Sequence, residues 1–139
     1  MRGKKGQILK ATEKIPYYIT LKNIEEGSDS EYFYMAGVSR IWTNRSRDQS
    51  APTFAICTTE GNDTMKQIHN TKFRMPTILT EDLAYEWLTG KLSQERIQEI
   101  AQYRIQSSEM KVWTISKSFL TDENPLAEVV YPHVPKIVP

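Results

Sequence analysis

The sequence predicts an α+β domain: an antiparallel β-sheet, strongly curved or closing into a barrel, with two helices packed on it. Three observations carry this. Four apolar or aromatic runs of strand length, 15–21, 31–38, 53–58 and 110–116, are separated by polar, turn-forming segments. Two capped helical patterns, about 80–90 and 93–105, follow one another directly instead of alternating with strands as a parallel βαβ sheet requires. The sequence has no Gly-rich phosphate loop and no internal repeat that would suggest another architecture.

Residues 1–14 read as a basic N-terminal arm, with Arg2, Lys4, Lys5, Lys10 and Lys14 against Glu13. The first strand is Ile15–Leu21, with Pro16 at its start, where a missing N–H does least harm. A polar turn over 22–30 leads to a second strand, Glu31–Val38, which is apolar on both faces and so reads as covered on both sides. The two strands are expected to form an antiparallel hairpin. Residues 43–52 read as a polar loop whose Arg45 and Arg47 face solvent, and Thr53–Thr58 as a short central strand holding Cys57.

Asn62 or Asp63 caps a short helix with Met65 and Ile68 inward, and His69 ends it. Pro76 holds Met75 extended, and Thr77–Leu79 continue as strand. Thr80 caps the next helix, Glu81 and Asp82 occupy its anion-favouring first turn, and Gly90 ends it. Leu83, Ala84, Trp87 and Leu88 form its apolar face. Ser93 caps a helix to Ile105 with Ile97, Ile100, Ala101 and Ile105 inward. Met110–Ser116 alternates as a strand, and the tail over 121–139 is Pro-rich and extended, with His133 as a surface histidine.

Composition excludes several classes. The 139 residues suit one domain. Eighteen Lys and Arg nearly balance seventeen Asp and Glu, so any nucleic-acid contact must rest on a local basic patch. A single cysteine allows no internal disulfide and fits a reducing compartment, which makes the cytoplasm the expected location. No apolar run reaches membrane-spanning length, and no Cys/His spacing suits a metal, so neither membrane nor cofactor is expected.

The segment richest in chemistry is Ile68-His69-Asn70-Thr71-Lys72-Phe73-Arg74-Met75-Pro76-Thr77-Ile78-Leu79. Histidine moves protons near neutral pH, and the two cations after it can hold a phosphate or carboxylate. The order of Phe54-Ala55-Ile56-Cys57-Thr58-Thr59-Glu60-Gly61-Asn62, Met65, Ile68-His69-Asn70, Arg74-Met75-Pro76-Thr77-Ile78-Leu79 and Tyr85-Glu86-Trp87-Leu88 resembles the SRAP family. These are the SOS-response-associated peptidases, which shield abasic sites in single-stranded DNA by crosslinking to them. Ile15-Pro16-Tyr17-Tyr18-Ile19 and Phe33-Tyr34-Met35-Ala36-Gly37-Val38 fall in the family's order, so the likeness covers most of 14–120.

The resemblance implies that His69 is the catalytic proton shuttle, that Thr58 lies near the DNA path and that Arg74, with Lys72, holds phosphate. It also implies a nucleophile at an N-terminal cysteine following the initiator methionine, where this chain has Arg2. By motif order the chain corresponds to the C-terminal part of a family member, and by itself it is expected not to crosslink. The missing strands are expected to leave a sheet edge open to homodimerisation. Two alternatives compete: a non-catalytic DNA- or protein-binding remnant, and a Cys57/His69 hydrolase suggested by the peptidase label.

Overall fold

The computed structural model describes residues 13–24, 32–69 and 72–138. Most of the N-terminal arm and most of the polar turn after Leu21 lie outside them. The chain is α+β, as the sequence predicts, with mostly antiparallel strand pairs and two main helices. The strands do not close into a barrel among the described residues: they form four separate pairings.

The first pairing corrects the expected hairpin. Strand β1 (Tyr17–Leu21) pairs with β8 (Met110–Thr114), in register from Tyr17↔Thr114 to Leu21↔Met110. Leu21 and Met110 are both buried, in a cluster with Met65, Met75, Ile78 and Ile105. Tertiary burial, not proximity in sequence, sets this partnership. The tail runs back beside β8: Val129 N–H donates to the Thr114 carbonyl (2.8 Å), and Trp113 Nε1 donates to the Leu126 carbonyl (2.8 Å).

The remaining strands are three extended segments that change partners midway. They are β2 and β3 (Tyr34–Met35, Gly37–Asn44), β4 and β5 (Gln49–Ile56, Thr58–Glu60), and β6 and β7 (Arg74–Pro76, Ile78–Leu79). β2 pairs with β7, β3 with β4, and β5 with β6, all antiparallel. The three residues at the changeover are Ala36, Cys57 and Thr77. Ala36 N–H donates to the Thr77 carbonyl, Thr77 N–H to the Cys57 carbonyl, and Cys57 N–H to the Ala36 carbonyl, each at 2.9 Å. This closed ring satisfies three backbone donors at a buried point where Ala36 and Thr77 are fully inaccessible.

The polar loop expected over 43–52 contracts to a four-residue turn. Asn44 Oδ1 accepts from Ser46 N–H (3.1 Å) and Ser46 Oγ (2.7 Å), and Asp48 takes φ = 47°, a conformation Asp tolerates. The flanking residues then zip from Asn44↔Gln49 to Gly37↔Ile56. Arg45 and Arg47 sit at the tip. Two burial expectations fail here. The 31–38 strand is not covered on both sides, and 53–56 is not central. Every side chain of β3 and β4 is exposed except half-buried Asn44, and Ile41, Trp42 and Phe54 are among the exposed ones. Among the described residues no element covers these side chains.

Helix α1 (Asp63–Ile68) is capped by Asn62, whose Oδ1 accepts from Met65 N–H at 3.0 Å. Its Nδ2 donates to the Ile105 carbonyl at 2.8 Å. Helix α2 (Glu81–Thr89) starts at the Thr80 cap and stops at Gly90, where a Cβ would stand 2.5 Å from the Glu86 carbonyl. Leu83, Ala84 and Trp87 pack inward, and Trp87 Nε1 donates to the Gly37 carbonyl at 2.9 Å. Leu88, expected inward, is 79% exposed, with nothing among the described residues covering the last turn.

Helix α3 (Gln94–Ala101) is capped by Ser93 and ends four residues earlier than its sequence pattern suggests. The carbonyls of Ala101 and Gln102 accept from Thr77 Oγ1 (2.6 Å) and Thr59 Oγ1 (2.9 Å). Ile105 leaves the helix to reach the first core cluster, and Ile97, expected inward, is exposed. Ile100 joins Ala36, Leu79 and Ala84 in a second cluster that includes half-buried Cys57, and Tyr103 packs against both clusters. None of the described helices is long and apolar enough to cross a membrane.

Asn62 fastens α1 to the 102–105 segment, and it is 6% exposed. Replacing it with Ala removes a cap and leaves the Ile105 carbonyl buried without its donor. Asn62→Ala should destabilise the chain by about 1–3 kcal/mol in urea denaturation. A loss below about 0.5 kcal/mol would contradict this role for Asn62.

Candidate functional site

The β5/β6 ladder presents alternating faces. In register, Thr59 opposes Met75 and Glu60 opposes Arg74. Met75 is buried and Thr59 half-buried on the inner face, while Thr58, Glu60 and Arg74 are exposed on the outer one. The inner face fixes its neighbour: the Thr59 hydroxyl bonds the Gln102 carbonyl and so lays residues 102–104 along the ladder. Arg104 thereby comes within 3.3 Å of Glu60.

An open groove of about 860 Å³ results, lined by Thr58, Thr59 and Glu60 from β5, Lys72, Phe73 and Arg74 from the approach to β6, and Gln102 and Arg104. Three of the residues singled out in the sequence, Thr58, Lys72 and Arg74, therefore line one surface. His69 does not line it. It is exposed at the C-cap of α1, and its carbonyl accepts from Phe73 N–H at 3.4 Å, so it stands one turn behind the groove wall. Cys57 is a free, half-buried thiol packed against the second core cluster and is not part of the lining. Among the described residues no hydrogen bond joins Cys57 to the His69 ring. Nor do three His, Cys, Asp or Glu side chains cluster as a metal site requires.

The lining carries three cations, Lys72, Arg74 and Arg104, against one carboxylate, Glu60. Glu60 is itself engaged. Lys66 from α1 reaches it at 2.7 Å and Arg104 at 3.3 Å. The Lys66 hydrogen bond, then the charges of Lys66 and Arg104, hold the Glu60 carboxyl below its usual range. A group lowered in this way keeps its charge throughout neutral and mildly acidic pH and loses it only as pH falls through the lowered value. Lys72 and Arg74 have no ion-pair partner among the described residues. The arrangement is a shallow cationic surface whose one carboxylate is held by Arg104 from the lining and by Lys66 from α1.

Arg104, Gln102, Glu60 and Phe73 were not anticipated. A signal for the first two exists: Ala101-Gln102-Tyr103-Arg104-Ile105-Gln106 alternates apolar and polar at period two, an extended pattern hidden inside a helical one. The hydroxyl bonds from Thr59 and Thr77 that end α3 have no local signature.

The family model described as SOS response associated peptidase (SRAP) matches residues 6–120. Abasic site processing protein YoaM of Bacillus subtilis (strain 168) is 32% identical over 124 residues, which make up 88% of this chain and 49% of that protein. Abasic site processing protein YoqW of the same organism is 29% identical over 120 residues, 86% of this chain and 49% of YoqW. A crystal structure of a protein from Bacteroides thetaiotaomicron superposes with a TM-score of 0.70 at 32% identity, covering 86% of this chain and 50% of that one. The chain spans about half the length of the curated relatives it matches.

Glu60→Gln frees Lys66 and Arg104 and removes the one negative charge of the lining. It should raise affinity for a single-stranded oligonucleotide roughly two- to fivefold at low salt and steepen the fall of affinity with salt. Acidification of the wild type should mimic this only below the usual carboxylate range. Unchanged affinity on the substitution would show that Glu60 does not restrain the groove.

Proposed function

Because the chain belongs to the SOS response associated peptidase (SRAP) family, matched over residues 6–120, we propose that it is the DNA-holding and proton-moving part of an abasic-site processing protein. What carries this proposal is the convergence of Thr58, Lys72 and Arg74 on one cationic groove. Lys72 and Arg74 take backbone phosphates of a single strand, Arg104 extends the track, and Thr58 lies along the strand's path.

The reaction proposed for the whole family domain is a covalent capture. The abasic sugar opens to an aldehyde when its ring oxygen is protonated. An N-terminal amine adds to that carbon and water leaves. A thiol on the same residue then adds, closing a five-membered ring. His69, exposed beside the groove wall, delivers the proton to the ring oxygen and serves proton transfer in amine addition. The amine and thiol belong to one N-terminal cysteine. The lining of the groove holds no cysteine, and the nucleophile is assigned to a part of the family domain outside it. Without that nucleophile the histidine has no covalent step to assist.

The exposed face of the β3–β4 hairpin, with Ile41, Trp42 and Phe54, is assigned to the half of the family domain that this chain does not span, and not to a second copy of the chain. An apolar two-stranded hairpin with no cover is marginal in water, and the relatives are about twice as long as the matched region. A passive single-strand binder is the second reading, favoured by a groove lining that holds cations but neither His69 nor Cys57.

Purified chain should bind a single-stranded abasic oligonucleotide yet form no adduct that survives denaturing electrophoresis. Adding the unmatched half of YoaM should restore an adduct. His69→Gln should slow its formation roughly 10²–10⁴-fold with noncovalent affinity kept, and Phe54→Asp should weaken capture of the added half. An adduct made by the chain alone contradicts the assignment of the nucleophile. A restored adduct indifferent to His69→Gln contradicts the shuttle, and a stable homodimer through the hairpin contradicts its assignment.

A further inference from the structure

Two described residues other than glycine have positive φ: Asp48, in the hairpin turn, and Phe73, at φ = 49°. Aspartate tolerates this conformation by bonding its own backbone, but a bulky aromatic does not. Strain of this kind persists only where the surroundings impose it. Here they do. Gly61 N–H donates to the Phe73 carbonyl at 2.7 Å, and the approach is so close that a Cβ at Gly61 would stand 3.1 Å from that oxygen. Phe73 N–H is held by the His69 carbonyl, and two residues on Met75 is buried.

The strain has no return in packing. The Phe73 side chain belongs to neither core cluster and is 49% exposed. It lies in the wall of the groove between Lys72 and Arg74, with Gln102 and Arg104 in the same lining. A half-exposed aromatic ring on a tethered backbone, flanked by cations, is an arrangement that single-strand binders use: cations follow the phosphates and the ring stacks on a base. An acidic or apolar peptide would also fill a cationic groove, but it would not need a flat apolar ring set between two cations.

We propose that Phe73 is a stacking platform for an unpaired nucleobase of the strand held in this groove, the base flanking the position that lacks one. The proposal rests on the single-stranded DNA reading of the groove and adds a base-dependent contact to its phosphate contacts. Stacking tolerates any base, so Phe73 lets the groove hold a strand by its remaining bases irrespective of sequence.

The test measures binding of the full chain, by fluorescence anisotropy across a salt series, to two probes: a single-stranded oligonucleotide with one abasic position, and a strand of the same length with no bases at all. Phe73→Leu should weaken binding to the first roughly 5- to 150-fold with an unchanged salt slope, and leave binding to the base-free strand unaltered. Phe73→Trp should retain wild-type affinity. Phe73→Gly should weaken binding yet raise the denaturation midpoint, because it relieves the positive φ; opposite signs exclude misfolding as the cause. Arg74→Gln should weaken both probes and flatten the salt slope. If Arg74→Gln acts but Phe73→Leu does not, or acts equally on the base-free strand, the stacking inference is overturned and the groove stands. If neither substitution changes binding, or the wild type binds neither probe, both are overturned.

Discussion

Three backbone hydrogen bonds, closed in a ring through Ala36, Cys57 and Thr77, hold the organisation of this chain together. Each residue sits where an extended segment leaves one partner and joins another, and each donates to one neighbour while accepting from the other. Three chain segments meet there in pairwise antiparallel contact, which a flat sheet does not permit. The demand on side chains is severe. Ala36 and Thr77 are fully buried, and Gly37 follows directly, where a Cβ would stand 3.3 Å from the Ala55 carbonyl. The outward arms of the junction are the β3–β4 hairpin and the β5–β6 ladder, so the junction sets both the exposed apolar face and the wall of the cationic groove.

A second constraint completes the groove. Thr77, Thr59 and Asn62 bond the carbonyls of Ala101, Gln102 and Ile105 in succession. Three side chains from β5, the cap of α1 and the junction thus fasten three carbonyls between the last residue of α3 and Ile105. The helix ends because its last carbonyls are claimed from outside, and the segment that follows carries Arg104 to Glu60. Packing and charge are linked in this way: the same hydroxyls that stop the helix assemble the cationic surface.

Much of this was legible in the sequence. The caps Asn62, Thr80 and Ser93, the stop at Gly90 and the turn of helix ending at His69 follow from local chemistry, and local chemistry is what fixes them in the fold. So were Thr58, Lys72 and Arg74 as a candidate set, through family order. The partner of β1 was not, because Leu21 pairs with Met110 across the whole domain for the sake of a shared core. The exposure of Phe54 and Ile41 was not, because an apolar run of strand length reads as buried and carries no sign of whether another element covers it. Arg104 was missed since the end of α3 depends on hydroxyls from Thr59 and Thr77, and Phe73 since no pattern in the sequence marks a strained backbone.

The surface framed by β5, the entry to β6 and residues 102–104 is the one proposed to hold single-stranded DNA. Amide chemical shifts of the isotope-labelled chain, followed as a single-stranded oligonucleotide with one abasic position is added, test this most directly. The account predicts concerted shifts at Thr58, Glu60, Phe73, Arg74 and Arg104, saturating together and receding at high salt. Stationary amides at those residues, with shifts gathered instead in the cleft between β8 and the tail at Trp113, Tyr131 and Lys136, would contradict it.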